Sequence, residues 1–336
     1  MSRVFVTGGA GYIGSHCCKA LARAGFEPIV YDNLSTGHAE FVKWGPIIEG
    51  DIRDQDKLAR ALLDTRAEAV IHFAGLAQVG ESMTEPARYY DVNVVGVLRL
   101  LQAMTQTGVN KLVFSSTCAV YGASATMPIS ESTVTQPASP YGASKLAAER
   151  MMEDFDLAYG LRSLRLRYFN AAGADPENEI GEWHEPETRL IPVAIAAALG
   201  RGPALRVFGT DYDTPDGTAI RDYIHVGDLA TAHVSALQYL LNGGPSDAVN
   251  LGTGVGTSVK QAIDEIAAVV GRAVPVEVAP RRAGDPPSAV ADPARAGTIL
   301  GWHPERSRLG DIVEDAWRWH RSRNTGAVRD SAGVAG

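Results

Sequence analysis

Cysteine is almost missing from this chain: Cys17, Cys18 and Cys118 are all it has. An odd number without metal-ligand spacing supports neither a disulfide framework nor a cysteine metal centre. Such sparing use fits a reducing compartment, so the expected location is the cytoplasm and no metal is expected. Long apolar runs are missing as well. No stretch approaches the roughly 18 residues that span a bilayer, and MSRVFVTGG enters a strand pattern directly, with no leader-like segment. Positive charge is not in excess either. The formal net charge of −8 gives no support to a nucleic-acid or membrane-surface role, while a local basic pocket for phosphate stays open.

What is present is apolar content: 45% of 336 residues, enough for one large α/β domain or two coupled ones. Short apolar runs at 3–9, 28–33, 69–75, 111–117 and 163–170 read as strands. Helical patterns lie between most of them, for example from Gly14 to about Arg23 and from Pro86 to about Thr107. Proline suits the first turn of a helix, where its missing N–H is no loss. This alternation predicts a Rossmann-type doubly wound parallel sheet. After Asn170 the pattern loosens. Residues 171–188 read as a long loop rich in Gly, Pro and acids, a length that is usually functional or disordered. A helix at about 189–200, RVFG, a strand at 220–226 with a helix after it, NLGTG, a strand at 274–280 and two short helices complete the folded part. The expected division is an NAD-binding domain over 1–170 plus about 218–250, and a smaller mixed α/β substrate domain over about 171–217 plus 251–320. The small, polar segment 321–336 reads as a disordered tail.

The first strand ends in TGGAGYIGSH. Gly9, Gly11 and Gly14 fit G-x-G-x-x-G, and Gly8, Gly11 and Gly14 fit G-x-x-G-x-x-G, between a strand and a helix as a dinucleotide site requires. Glycine lets the backbone approach a pyrophosphate, which the helix N-terminus stabilises. Asp32 closes the second strand, eighteen positions after Gly14. A carboxylate there accepts from both ribose hydroxyls and repels a 2′-phosphate, and Asn33 rather than an arginine follows, so the cofactor expected is NAD. Asp51 and Ile52 in EGDIRD read either as adenine contacts or as a loop acid beside a core isoleucine.

SPYGASKLAAER sets Tyr141 and Lys145 one helical turn apart, on one face. A phenol titrates near 10, so a base at neutrality needs a downward shift of about 3 units, or about 4 kcal/mol. An ammonium alongside and a positive nicotinamide ring can jointly supply it. Thr117, in SSTCAVYG, is placed to offer a hydroxyl to the same substrate oxygen. His72 and His225 sit in apolar strands and read as satisfied core residues.

TGGAGYIG, Tyr141-x-x-x-Lys145 and SSTCAVYG together resemble the extended short-chain dehydrogenases/reductases. HFAGLAQVGES, RYFNAAGADP, GTAIRDYIHV and APRRAGDPP narrow the resemblance to the UDP-glucose (UDP-galactose) 4-epimerases, from Arg3 to about His320. The resemblance implies a UDP-sugar substrate and a hidden redox cycle. Tyr141, assisted by Thr117, takes the proton of the sugar's 4-hydroxyl as hydride leaves C4; the 4-keto sugar turns over, and hydride returns to its other face. It implies further cofactor contacts at Tyr12, Ile13, Phe73, Ala74, Gly75, Asn93, Ser115 and Tyr168. Substrate contacts are implied at Asn170, Arg189, Leu190, Phe208, Arg221, Arg282 and Asp285. Arginine forks suit a diphosphate, and an acid can accept from uridine ribose. Phe169 reads either as a wall near the nicotinamide or as core. Nucleotide-sugar dehydratases have an Asp-Glu pair where Cys118 and Ala119 stand, which argues against dehydration. Three positions depart from the epimerase pattern: Ala289, where some members have tyrosine; Ala77, where some have lysine; and Arg189, where asparagine or histidine is usual. Arg189 reads as a phosphate contact or as a solvent-facing side chain. A homodimer is implied, with the helix from Pro86 as the candidate face.

Overall fold

In the computed structural model, which describes residues 2–124, 126–282 and 285–330, the first six strands are β1 (Arg3–Thr7), β2 (Glu27–Asp32), β3 (Ile47–Glu49), β4 (Ala69–His72), β5 (Lys111–Thr117) and β6 (Arg162–Tyr168). Short strands follow: β7 (Asn170–Ala172), β8 (Leu205–Phe208), β9 (Ile220–Arg221), β10 (Tyr223–His225), β11 (Asp247–Leu251), β12 (Thr257–Ser258), β13 (Val276–Ala279) and β14 (Ser288–Ala289). The helices are α1 (Tyr12–Arg23), α2 (Gln55–Thr65), α3 (Val79–Thr84), α4 (Pro86–Tyr90), α5 (Gly96–Thr107), α6 (Pro140–Tyr159), α7 (Leu190–Ala198), α8 (Val226–Leu241), α9 (Val259–Val270), α10 (Ala294–Leu300) and α11 (Leu309–Asp330).

Seven strands form one sheet in the order β11-β6-β5-β4-β1-β2-β3, every pair parallel. This is the Rossmann-type doubly wound sheet. Side chains alternate across it, as strand geometry dictates. Val4, Val6, Ile71 and Val113 face one apolar layer with Leu21 of α1 and Leu229 and Leu237 of α8. Phe5, Val70, Leu112 and Phe114 face the other, with Leu58 of α2, Leu100 of α5 and Met152 of α6. Each fully buried leucine is worth roughly 1.5–3 kcal/mol. Because strand order reverses at β1, the carboxyl ends of β1 and β4 open a crevice, where ligands of such sheets bind. A third apolar cluster, with Ile191 and Ile195 of α7, Ile266 of α9 and Ile312 of α11, holds the smaller lobe together. Among the described residues, no helix is long and apolar enough to cross a membrane.

Three readings are corrected. The short edge strand β3 is not marked by any apolar run, because it is three residues between Pro46 and Gly50. The helix from Pro86 is interrupted by a π-helical turn at Asp91–Val95. The disordered tail expected at 321–336 begins too early: α11 continues to Asp330, and residues 331–336 lie outside the described residues. Asn178 Nδ2 donates to Ser322 Oγ at 3.0 Å, and the Arg323 guanidinium lies 3.2 Å from the Trp183 ring centroid, so long-range contacts hold a turn that composition leaves polar.

Candidate active site

The turn after β1 can be made only by glycine. Gly8 has φ +73°, and a Cβ there would lie 2.4 Å from Ala74 N. A Cβ on Gly14 would lie 2.2 Å from Gly8 O. The backbone therefore packs against the start of α1 with no side chain between, leaving its N–H groups beside the crevice. Gly8, Gly11, Tyr12, Ile13, Gly14, Asp32, Asn33, Asp51, Ile52, Phe73, Ala74, Gly75, Ser115 and Tyr168 all line one cleft, which gathers most of the cofactor candidates. Asp32 is 8% exposed. Its Oδ2 accepts from Ala10 N at 3.0 Å and its Oδ1 from Leu34 N at 2.9 Å, while burial raises its pKa. The carboxylate is thus held rigidly at the cleft wall, and the residues present fit a dinucleotide with a free ribose diol. Asp51 sits in the same wall; Arg53, bonded to both its oxygens, holds its pKa well below the usual carboxylate range, and Asn33 Nδ2 donates to it at 3.1 Å.

Asn93 stands directly behind the wall, its Oδ1 2.9 Å from where a Cβ of Gly75 would lie. Its amide bonds Leu76 O at 3.0 Å and Ser144 Oγ at 3.1 Å, and its Oδ1 accepts from Leu76 N at 2.9 Å. It shapes the β4–α3 loop beside Gly75.

Tyr141 and Lys145 stand on the first turns of α6. Ser139 Oγ caps that helix by accepting from Gly142 N at 3.2 Å. Lys145 Nζ donates to Ser115 O at 3.0 Å and lies 3.6 Å from where a Cβ of Gly75 would stand. Burial lowers its pKa to about 8. The Tyr141 phenol is pushed well above its ordinary value, by burial first and by Tyr168 next, while Thr117 and Arg189 pull it down. Tyr168 OH is 2.6 Å from Ser115 Oγ. The end of β5 and the start of α6 thus bring a phenol, an ammonium and the Thr117 hydroxyl together. Cys118 and Ala119 follow Thr117 with no carboxylate, and burial pushes the Cys118 thiol up to about 12.

The smaller lobe supplies the basic groups. Arg221 Nη1 donates to Ile220 O at 2.8 Å and Pro286 O at 3.0 Å, with Asp285 Oδ1 3.7 Å from its Nη2. The Arg282 guanidinium stacks 3.8 Å from the Phe208 ring centroid. Asn170 opens β7, its N–H donating to Asp222 O at 2.9 Å. Leu190 starts α7 and packs against the lobe's core. Arg189 lines the same cleft with His184 and Tyr168. Phe169, 7% exposed, packs with Val120, Leu146, Ala289 and Cys118 and is core. His72 Nδ1 is 2.7 Å from Thr7 Oγ1, and His225 pairs with Asp315 at 3.2 Å, both as structural residues.

Sequence reasoning missed the segment around Trp183. The ring stacks on His38 with centroids 3.7 Å apart, and His38 Nε2 meets Trp183 O at 3.1 Å. Lys19 of α1 binds Asp175, Glu177 and Glu179. These contacts lay the long loop beside the cleft, with His184 in its lining. The available signal was compositional, one histidine and one tryptophan in an acidic loop, and it carried no partner. Ser35, Thr36 and Gly37, three to five positions after Asp32, also line the cleft.

Residues 4–252 match the model of the NAD dependent epimerase/dehydratase family. The UDP-glucose 4-epimerase of Rhizobium meliloti is 54% identical over 325 residues, covering 97% of this chain and 99% of that protein. The crystal structure of UDP-glucose 4-epimerase from Brucella ovis in complex with NAD is 52% identical and matches with a TM-score of 0.93, covering 95% of this chain and 98% of that one. The UDP-glucose-4-epimerase from Stenotrophomonas maltophila with bound NAD and formylated UDP-arabinopyranose is 40% identical, with a TM-score of 0.94 and coverage of 97% and 100%.

Proposed function

The chain belongs to the NAD dependent epimerase/dehydratase family and acts as an NAD-dependent UDP-sugar 4-epimerase; we propose that UDP-glucose and UDP-galactose are the pair it interconverts. The observation that carries this reading is the joining of Tyr141, Lys145 and Thr117 beside a cleft whose wall holds Asp32. Bound NAD would supply a hydride acceptor and return the hydride to the other face of C4. Around it, the Gly8–Gly14 turn would hold the pyrophosphate and Asp32 the adenosine ribose. Tyr141 would take the proton of the 4-hydroxyl and later give it back, with Thr117 holding the same oxygen. Lys145, fixed to Ser115 O, would stabilise the phenolate. Arg221 and Arg282 would anchor the diphosphate and Asp285 the uridine ribose, which keeps the sugar attached while it turns.

Hydrophobic Cys118 and Ala119 leave no acid–base pair for eliminating water, which supports epimerisation over dehydration. A second reading concerns the sugar alone. Ala289, small where some members of the family have tyrosine, pairs in register with Arg221, which by that resemblance supports a place for an N-acetyl group. Purified protein without added NAD should convert UDP-glucose to its 4-epimer by NMR, and faster than UDP-N-acetylglucosamine or UDP-xylose. Faster conversion of either rival reassigns the sugar; no conversion of any, even with NAD added, removes the reading.

The chain is divided between an NAD-binding part and a UDP-sugar-binding part along the boundaries given above, works in the cytoplasm and pairs as a homodimer on this same reading. Exposed Tyr90 and Val95, on and just after α4, support a contact there. Light scattering of wild type against Tyr90→Glu, with loss of the dimer expected, tests it.

A further inference from the structure

The loop beside the cleft carries two clusters of acids, and the fold treats them oppositely. Asp175, Glu177 and Glu179 gather round the Lys19 ammonium at 2.7, 3.0 and 2.5 Å, so that cluster has its cation built in. Glu182, His184 and Glu187 do not. Glu182 Oε1 and Glu187 Oε2 each lie 3.6 Å from His184 Nδ1, and one ligand atom from each residue falls within 4.8 Å of the others. Among the described residues, no lysine or arginine nitrogen lies within 4.0 Å of Glu182 or Glu187, and Arg189 acts on both carboxylates only from beyond that distance. The Glu182 side chain is 3% exposed. Its Oε1 and His184 Nδ1 are both buried with no hydrogen-bond partner.

A buried carboxylate oxygen and a buried ring nitrogen, aimed at each other beyond hydrogen-bond distance, are costly unless something between them satisfies both. Bonds of about 2.0–2.2 Å to a tetrahedral cation place neighbouring ligand atoms about 3.4 Å apart, close to the spacing seen. We propose that Glu182, His184 and Glu187 form a site for a first-row divalent cation, Zn²⁺ or Mn²⁺. Two carboxylates and one imidazole suit these ions, and the two negative charges balance the dication. Three protein ligands leave a position open toward the cleft that His184 lines. The cation fixes the loop to itself at the point where Trp319 Nε1 donates to Glu182 O at 3.0 Å, and so pins it to α11.

The test is calorimetric titration of the EDTA-treated, cofactor-loaded protein with ZnCl₂ and, separately, MnCl₂. The expected result is one saturable equivalent of one or both ions. His184→Ala and the less buried Glu187→Gln should each weaken binding about 10- to 100-fold, while Glu179→Gln, in the cluster that Lys19 already fills, should leave it unchanged. Absence of saturable binding to the wild-type protein overturns the proposal, as does binding that survives His184→Ala or is lost in Glu179→Gln alone. The wild-type titration decides even if a variant fails to fold, and it reads metal directly, so its failure is separate from any failure of the epimerase reading.

Discussion

Lys145 Nζ donates to the main-chain oxygen of Ser115 at 3.0 Å, two residues before Thr117, so the strand end bearing the hydroxyl and the helix turn bearing Tyr141 are fixed by one charge-assisted bond. Burial lowers the Lys145 pKa to about 8. Below that value the ammonium is present and supports the phenolate; above it the charge is lost. Turnover of UDP-glucose should therefore fall as pH rises through about 8, and Lys145→Arg, which keeps its charge, should move that fall upward. A pH–rate profile flat to pH 10 would remove Lys145 from this role.

Tyr141→Phe deletes one oxygen from a ring already packed edge-to-face against Tyr89, centroids 6.4 Å apart. The fold should survive. Turnover should drop by about 10²–10⁴, the usual worth of a general base, while NAD content after purification stays near wild type. Near-normal rates would transfer the base role elsewhere.

Local chemistry made half of this site legible. Gly8, Gly14 and Asp32 announce themselves because a strand, a tight turn and a helix follow one another within the sequence, and Tyr141 and Lys145 because one helical turn joins them. Arg189 stayed open between two readings because its direction depends on how α7 docks, not on its neighbours in sequence. Glu182 and His184 were missed because their surroundings are Tyr12, Trp319 and Arg189, brought together only in three dimensions. The same cause hid the length of α11, whose Arg323 stacks on Trp183, 140 positions earlier. Local motifs survive translation into structure; side chains that depend on the docking of the smaller lobe do not.

Asp32 offers a carboxylate whose oxygens also receive Ala10 N and Leu34 N. Asp32→Asn keeps the shape of the side chain, removes the charge and turns an NH₂ donor toward one of those two N–H groups. A charged hydrogen bond is worth about 1.5–3 kcal/mol, so NAD affinity should fall about 10- to 100-fold, and the preference over NADP should shrink. Unchanged preference, read by titrating the two cofactors into stripped protein, would sink the ribose assignment.

Gly8→Ala places a methyl 2.4 Å from Ala74 N at a φ of +73°. The strain of a non-glycine residue there costs roughly 1–3 kcal/mol, and the clash adds to it. Urea unfolding should show the loss, together with weaker NAD retention. A variant as stable as wild type would mean that the loop after β4 can retreat freely.

Four buried imidazoles make the fold sensitive to mild acid. Burial lowers His72 to about 3, and lowers His16, His233 and His320 to about 4. In the unfolded chain each titrates near 6.5, so between these values the unfolded state binds more protons than the native one. Their contribution is whole above about pH 6.5 and declines as pH falls, by roughly 1–2 kcal/mol per ring on reaching pH 5. Glu182, which burial pushes up to about 7, works in the opposite direction and offsets about one ring. Urea midpoints should therefore drop steadily from pH 7 to pH 5. His233→Gln, whose ring otherwise packs on Phe73 with centroids 4.7 Å apart, should make that slope shallower even if it lowers stability at pH 7. A midpoint constant over the same range would show that these rings reach solvent.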